Sequence, residues 1–356
     1  MKMTSISTIS LSAAPRNSIL QLQDQLREAQ KEVVTGRFAD VGMTLGVATS
    51  STISLRTQSA STQQQIETNS VIAQRFDVMQ ITLSAIAASA EEFLGTIIAN
   101  AGIASAADIN AQGAKAGLDQ LTAALNSSAG PRYLFSGASS DRPGIRFTDA
   151  AGDPAASYSA GSTAAAATAD AFAAFRATQP DPAVASITGA ALDGFLSGDF
   201  AGLFGEASWA ANWSGIDGAP VLNRISDSET INVSYGADNP AFRNIAKAYV
   251  MLADLGAADM SEEARRLLTE RATQTLGEGI TQLNAMRAEI GANQSRTESA
   301  TEALEGRQYV LSLSVASLEE VDPYEASTRV TTLMSQLEAS YALTARISRL
   351  SLLNYL

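Results

Sequence analysis

The chain has 356 residues and a formal net charge of −13, since 37 acidic residues outnumber 24 basic ones. This balance argues against nucleic acid or an anionic membrane surface as the main partner, because both attract clustered positive charge. Cys and His are absent, which excludes disulfides, thiolate nucleophiles and Cys/His metal sites and removes the usual proton shuttle at neutral pH.

The first predicted helix follows Pro15 and ends before Gly36, a residue that tolerates the left-handed backbone at a helix end. Its apolar residues alternate at spacings of three and four, which is the pattern of a helix that packs along one seam. This stripe consists of Ile19, Leu22, Leu26, Ala29 and Val33. Residues 36–50, which contain Gly36, Gly42 and Gly46, are predicted to form an irregular hinge.

A second, much longer helix is predicted from about residue 52 to about residue 101. Its apolar stripe consists of Ile72, Phe76, Met79, Leu83, Ile86, Ala90, Phe93 and Ile97. At 1.5 Å per residue this helix would span about 75 Å, which exceeds a compact domain and is typical of a rod. A third stripe, within residues 111–125, predicts a shorter helix, and residues 126–137 predict a turn and a short strand.

Helical periodicity is lost between about residues 138 and 240, where Gly, Ala, Asp and Ser are abundant. The Ala-rich residues 161–175 are compatible with a short helix. The strand candidates are 144–149, 220–225 and the alternating Ile231, Val233 and Tyr235. We therefore expect a small inserted domain that is α+β or mostly β.

Two pairs of residues in this middle region invite a ligand-binding interpretation. Asp193 and Asp199 could suggest calcium, but the carboxylate spacing of an EF-hand is absent and a solvated turn is predicted instead. Trp209 and Trp213, spaced by four, could form a ligand platform, but a place in the core of a small domain is predicted instead.

Helical patterns resume at Asn239-Pro240, where an N-cap residue is followed by Pro in the first turn. A seven-residue repeat then consists of Ile290, Thr297, Leu304, Leu311 and Leu318. The sequence from Asp322 to Glu325 predicts the start of the last helix. The stripe of that helix consists of Val330, Leu333, Leu337, Tyr341, Thr344, Ile347 and Ser351, and an apolar tip follows with Leu350, Leu352, Leu353, Tyr355 and Leu356.

These elements predict a mainly α protein: a long antiparallel helical hairpin, or coiled-coil rod, formed by both ends of the chain. Three parts are expected. Residues 1–44 and 322–356 form a terminal coiled-coil assembly domain, residues 45–137 and 240–321 form the long-helix rod, and residues 138–239 form the inserted outer domain. Two helices bury only one seam, so the apolar residues beside it need another partner.

Three segments resemble the flagellin superfamily, and most closely its hook-filament junction branch. They are VVTGRFADVG (33–42), YLFSG (133–137) and the stretch from VDPYEAS to LSLLNYL (321–356). The resemblance covers roughly residues 1–137 and 240–356. It implies that the terminal helices form the inner tube of an axial assembly, that longer helices surround them, and that the inserted domain points outward.

The resemblance also implies a partner set. Subunits would leave the cell through the flagellar type III export channel as unfolded chains held by a cytoplasmic chaperone, which accords with the lack of a signal-peptide core and of a run of 18 apolar residues. Outside the cell they would form a ring with copies of themselves, next to a hook-associated protein and flagellin subunits. No nucleic acid, membrane insertion, metal or cofactor is expected.

The residues predicted to carry assembly are those of the two terminal stripes and the tip. They are Ile19, Leu22, Leu26, Val33, Leu333, Leu337, Tyr341, Ile347, Leu350, Leu353 and Leu356, with Gly36, Gly42 and Gly46 as the hinge. A structural subunit joining hook to filament is the leading hypothesis. The alternatives are a filament-forming flagellin and, in another class, a cytoplasmic coiled-coil interaction adaptor. An enzyme is disfavoured, because no GxSxG, P-loop or GxGxxG motif stands in the required context.

Overall fold

The computed structural model of the protein describes residues 8–100, 103–155, 157–214, 216 and 219–353, with the side chains of residues 8–15, 104 and 347–353 left out of the description. The helices are α1 Thr8–Thr35, α2 Val41–Leu45, α3 Thr49–Ala99, α4 Ala107–Leu125, α5 Thr163–Ala177, α6 Gly189–Ser197, α7 Asp199–Leu203, α8 Glu206–Trp209, α9 Pro240–Asp254, α10 Glu262–Glu319 and α11 Pro323–Leu353. The strands are β1 Ser128–Ala129, β2 Arg132–Tyr133, β3 Phe147–Thr148, β4 Pro154–Ala155, β5 Leu222–Arg224 and β6 Thr230–Asn232. They pair as three antiparallel hairpins, β1-β2, β3-β4 and β5-β6. The mainly helical fold class predicted from the sequence is confirmed.

The chain divides into two compact units. The terminal unit contains residues up to Gln64 and from Leu304 onward, and the central unit contains residues Gln65–Ala303. Helices α3 and α10 each contribute residues to both units. The three-part division predicted above places its boundaries elsewhere and stays a prediction.

In the central unit, α3 and α10 run antiparallel. The amide of Gln294 donates to Asp77 over 2.7 Å, and the guanidinium of Arg287 donates to Ser84 over 2.7 Å, so positions rise along α10 as they fall along α3. All eight residues of the predicted α3 stripe are buried in one core, with Phe76, Met79 and Leu83 fully inaccessible. On α10, Ile290 of the predicted seven-residue repeat is also fully inaccessible to solvent.

Helices α4 and α9 close the other side of this core. Asn239 caps α9 as its sequence predicts, because its side chain accepts a hydrogen bond from the amide of Ala241 with Pro240 in the first turn. The ring of Tyr249 in α9 lies against Gly117 of α4, where an added Cβ would stand 2.7 Å from a ring atom. Only Gly allows the two helices to approach this closely at that point.

The middle region is more helical than predicted. Its strands are two or three residues long, and α5 to α8 supply most of its regular structure. Trp209 and Trp213 stack in its core with ring centroids 4.6 Å apart, as expected of a packing role. Asp193 lies on α6 and forms an ion pair with Arg271 over 2.6 Å, so it is held on a helix and not in a solvated turn.

Two further local differences concern the first 50 residues. Helix α1 begins at Thr8 and passes through Pro15, although Pro can supply no amide hydrogen to the preceding turn. Residues 36–50 are more regular than the predicted hinge, because α2 begins after an Asp40 side chain that accepts from the amide of Met43. This N-cap satisfies a free amide of the first turn and explains why a short helix forms there.

One helical segment among the described residues, within Val41–Ala99, is long and apolar enough to cross a membrane by length and composition. The same test is passed by core helices of soluble proteins. Here Leu83, Ala90 and Ile97 are fully buried in the central core. Its apolar character is thus explained in part by packing within the chain.

Candidate assembly interface

Helices α1 and α11 pack against each other in the terminal unit and run antiparallel. Two hydrogen bonds mark their register: the guanidinium of Arg329 donates to Glu32 over 3.0 Å, and the amide of Gln23 donates to the hydroxyl of Tyr341 over 2.8 Å. The predicted stripes lie between and beyond these two bonds. The helix pair joined at this seam carries the candidate assembly interface.

The buried positions of the seam are few. Ala29 and Leu333 are buried, at 1 % and 8 % exposed, while Ile19, Leu22, Leu26 and Leu337 are half-buried. Val33 and Tyr341, both predicted in the seam, are more exposed, at 44 % and 47 %. At the end of α1 the buried position next to Val33 is taken by Glu32.

Large apolar side chains remain in solvent on both helices. Leu20 and Val34 on α1 are 59 % and 85 % exposed, and Met334 and Leu343 on α11 are 47 % and 58 % exposed. Pairing of the two helices therefore covers one side of each and leaves apolar surface on the others. Exposed surface of this kind is typical of a segment that is completed by contact with another chain.

The predicted apolar tip falls largely outside this description. Helix α11 continues to Leu353, so Ile347, Leu350 and Leu353 lie on its last turns, but their side chains are outside the described residues. Leu356 lies outside them altogether. Their role in assembly stays a prediction.

The three predicted hinge glycines differ in conformation. Gly36 and Gly46 have φ values of 67° and 52°, a region that L side chains rarely adopt, and they end α1 and α2 respectively. Gly42 lies inside α2 and has no positive φ. The geometry of a chain reversal is thus present at Gly36 and Gly46, whereas bending about either of them stays a prediction.

A short backbone pairing joins the end of α1 to the connection between α10 and α11. The amide of Phe38 donates to the carbonyl of Glu319 over 3.0 Å, and the amide of Val321 donates to the carbonyl of Gly36 over 3.0 Å. Arg37 and Glu320 thereby form an antiparallel bridge. The chain leaves α1 and enters α11 at adjacent points because of this pairing.

Two carboxylates are buried on either side of this bridge. The side chain of Glu319 is fully inaccessible, and its Oε2 accepts from Arg56 over 2.6 Å and lies 3.6 Å from Arg37. The side chain of Glu32, 9 % exposed, accepts from the amide of Ala39 through Oε1 and from Arg329 through Oε2. The hydrogen bond from Arg56 to Glu319 is the main cause that raises the pKa of Arg56.

Sequence reasoning singled out neither glutamate. Glu32 lies one position before Val33 of the predicted stripe, and Glu319 lies one position after Leu318 of the seven-residue repeat. A charged residue beside an apolar stripe is ordinarily assigned to the solvated edge of the helix. Their burial depends on arginines that come from distant parts of the chain, which no local pattern reveals.

The described residues contain no cluster of three or more acidic side chains suited to a metal ion. The two buried carboxylates of the terminal unit, Glu32 and Glu319, form ion pairs with arginines of other elements. The apolar surface on α1 and α11 stays the predicted contact surface for another molecule.

Comparisons with known proteins identify the family. The model of the bacterial flagellin N-terminal helical region matches residues 6–140, and the model of the bacterial flagellin C-terminal helical region matches residues 273–356. Together the two matches cover more than half of the chain. A search among curated protein sequences finds no match.

Among solved structures, a putative flagellar hook-associated protein from Vibrio parahaemolyticus is similar to this chain. The TM-score is 0.50 at 8 % sequence identity, and the match covers 76 % of this chain and 97 % of that one. Identity at this level shows a shared fold. With both helical regions matched in the order in which they occur along the chain, this protein belongs to the flagellin superfamily, whose members are structural proteins.

Proposed function

We propose that this protein is a structural subunit of the bacterial flagellum that joins the hook to the filament, a junction protein of the hook-associated protein 3 type. The observation that carries the proposal is the match of both terminal regions to flagellin helical models, on helices whose mutual packing leaves leucines and valines in solvent. Resemblance of the segment LSLLNYL, residues 350–356, to junction proteins favours this branch over filament flagellins.

Polymerisation would use the two terminal helices. Copies of the chain would form a ring in which the exposed sides of α1 and α11 contact neighbouring subunits. Burial of apolar surface is roughly worth 25 cal/mol per Å², so the four exposed side chains named above would favour assembly. One edge of the ring would contact a hook-associated protein, and the other would contact flagellin.

The junction role requires adaptation between two lattices. The segment from Gly36 to Gly46 would accommodate the difference, while residues 138–239 would form the outward-facing domain. The chain would reach its site by type III export, with a cytoplasmic chaperone holding it before secretion. It would then be an extracellular component of the flagellum.

Deletion of the gene tests the proposal against its alternatives. A strain lacking a junction protein should keep its hooks, lose its filaments and release filament subunits into the medium. A strain lacking a filament flagellin should release no such subunits. If the protein is instead a cytoplasmic adaptor, it should be absent from sheared appendages and from the culture supernatant of the parent strain.

A further inference from the structure

Helix α3 carries a second apolar stripe, on the side turned away from the central core. Val78, Ile81, Ala85 and Ala88 are exposed, and each lies two positions from a buried residue of the core stripe. Two positions correspond to about 200° around a helix, so the two stripes lie on nearly opposite sides. Val71, seven residues before Val78, extends this outer stripe of α3 and is 66 % exposed. Only 33 % of the apolar window found in this helical segment is buried inside the chain, so packing within the chain does not account for the outer stripe.

A stripe of small side chains lies on the corresponding side of α10. Its residues are spaced by four and three, and each lies two positions from a buried residue of α10, such as Leu283, Ile290 or Thr297. Small side chains let a second helix approach closely, and large side chains fit between them. This small-residue stripe of α10 consists of Thr281, Ala285, Ala288, Ala292, Ser295 and Ser299, all exposed.

The two stripes lie at the same height along the antiparallel helices. The two hydrogen bonds between α3 and α10 described above place residues 78–85 level with residues 286–293. The large side chains of Val78 and Ile81 therefore occur at the same height as the alanines of α10. A second copy that lies parallel to the first can set one stripe against the other without a shift along the axis.

Charge limits which surfaces two copies can share. Each chain has a net charge of −13, so two copies repel each other on average. Helix α3 has no charged residue from Val78 to Ala90, and α10 has none from Gly279 to Met286. Copies can meet at these stretches without burying a charge, which would be costly without a partner.

The area of the outer stripe indicates what kind of partner covers it. Residues 71–88 span about 27 Å of helix, and a strip about 10 Å wide and of that length covers roughly 300 Å². A stable complex buries about 800 Å² on each partner, so a partner bound by this strip alone would dissociate. The occupant is therefore one that other contacts also hold in place, and another copy in the proposed ring meets this condition.

We propose that the outer stripe of α3 in one copy packs against the small-residue stripe of α10 in the next copy. The inference rests on the proposed function and adds a contact made by the central unit to those made by the terminal helices. Each copy carries one stripe of each kind, and a pair of copies leaves one of each unused. The contact therefore repeats from copy to copy, as a ring requires.

The absence of native Cys permits a direct test by disulfide cross-linking of the full-length protein. The test pair is Val78→Cys with Ala292→Cys. A disulfide needs Cα atoms within about 7 Å, whereas the axes of packed helices are already about 8–10 Å apart and both positions point away from the seam between α3 and α10. A bond between them must therefore join two chains. The control pair is Val78→Cys with Ala116→Cys, because Ala116 is an equally exposed alanine on α4.

Oxidation of concentrated, purified protein should trap dimers and larger species in the test pair, at least tenfold above the control pair. Addition of Ile81→Asp to the test pair should reduce this product about tenfold, because a charge then lies in the contact. Equal yields from the two pairs would overturn the inference, as would a product that stops at the dimer or one that Ile81→Asp leaves unchanged.

Sheared appendages from a strain that carries the test pair separate this inference from the proposed function. Oxidation should give the same ladder of multiples of the chain mass. Protein present in the appendages without that ladder, or linked only to a different protein, would overturn the contact. A ladder in solution from a protein that is absent from the appendages would refute the flagellar function and leave the contact standing.

Discussion

The substitution Leu83→Asp tests the central core most severely. Leu83 is fully inaccessible in the α3 stripe. Burial of a leucine side chain is worth about 1.5–3 kcal/mol, and an uncompensated buried charge costs about 3–5 kcal/mol. The combined loss of about 5 kcal/mol or more approaches the lower end of the free energy of unfolding of a whole domain, about 5–15 kcal/mol.

Thermal unfolding followed by circular dichroism measures this loss. In a unit of this size about 1 kcal/mol shifts the melting temperature by about 2–4 °C, so Leu83→Asp should lower it by roughly 10–20 °C or leave the unit unfolded. Ile81→Asp is the matched control, because Ile81 lies two residues away on the same helix and is 70 % exposed. Equal melting temperatures for the two variants would refute the assignment of the core face of α3.

Three other changes have defined outcomes. Gly117→Ala should destabilise the central unit by about 1–3 kcal/mol in denaturant unfolding, because the added Cβ would meet the ring of Tyr249. The control Gly277→Ala, in open space on α10, should be neutral or slightly stabilising. Equal effects of the two substitutions would contradict the close packing of α4 on α9. Burial raises the pKa of Tyr249 to about 12, so the folded state keeps a proton that the unfolded state loses above pH ~10, and the share of stability due to this group should be complete below that pH and fall by about 2–3 kcal/mol as the pH rises to 12. Burial raises the pKa of Tyr158 and Tyr235 as well, so the total decline should be larger, and Tyr249→Phe should reduce it by about 2–3 kcal/mol; an unchanged decline in Tyr249→Phe would contradict this explanation. Deletion of residues 347–356 should leave the melting temperature of the free protein nearly unchanged but abolish its incorporation into appendages, and normal filaments from the truncated chain would refute an assembly role for the apolar tip.

Period and capping signals in the sequence predicted the long helices well. The α3 stripe from Ile72 to Ile97 is buried at every predicted position. Asp322 caps α11 by accepting from the amides of Tyr324 and Glu325, as its place before Pro323 predicted. These features depend on neighbours within one or two helical turns, which is the range that a sequence pattern encodes directly.

Features that depend on distant residues were not predictable in this way. The buried carboxylate of Glu319 is paired with Arg56, which lies far away along the chain. The residues next to Glu319 in the sequence give no sign of this ion pair. In the middle region a strand forms at each predicted place, with β3 within residues 144–149, β5 within residues 220–225 and β6 at Ile231. Each of these strands is only two or three residues long, and short helices assemble the aromatic core, which the local β pattern did not reveal.

Only part of the packing between α1 and α11 could be predicted from the sequence. The stripes identified the correct faces of α1 and α11 at Ala29 and Leu333, both buried. They assigned Val33 to the seam as well, although the buried position beside it belongs to Glu32. An apolar stripe predicts which side of a helix packs against another helix. At the end of α1 the buried position is one residue away from that stripe, because Glu32 forms an ion pair with Arg329, and this pair is apparent only from the structure.

The central claim is that this protein is built into the flagellum at one place, between the hook and the filament. Immunogold electron microscopy of intact appendages, with antibodies against residues 163–203 of the proposed outer region, tests that claim most directly. The account predicts gold particles confined to a single position at the end of the hook, on every filament-bearing appendage and on none from a strain lacking the gene. Label along the whole filament would assign the protein to the filament itself, and appendages without label would contradict a place in the flagellum.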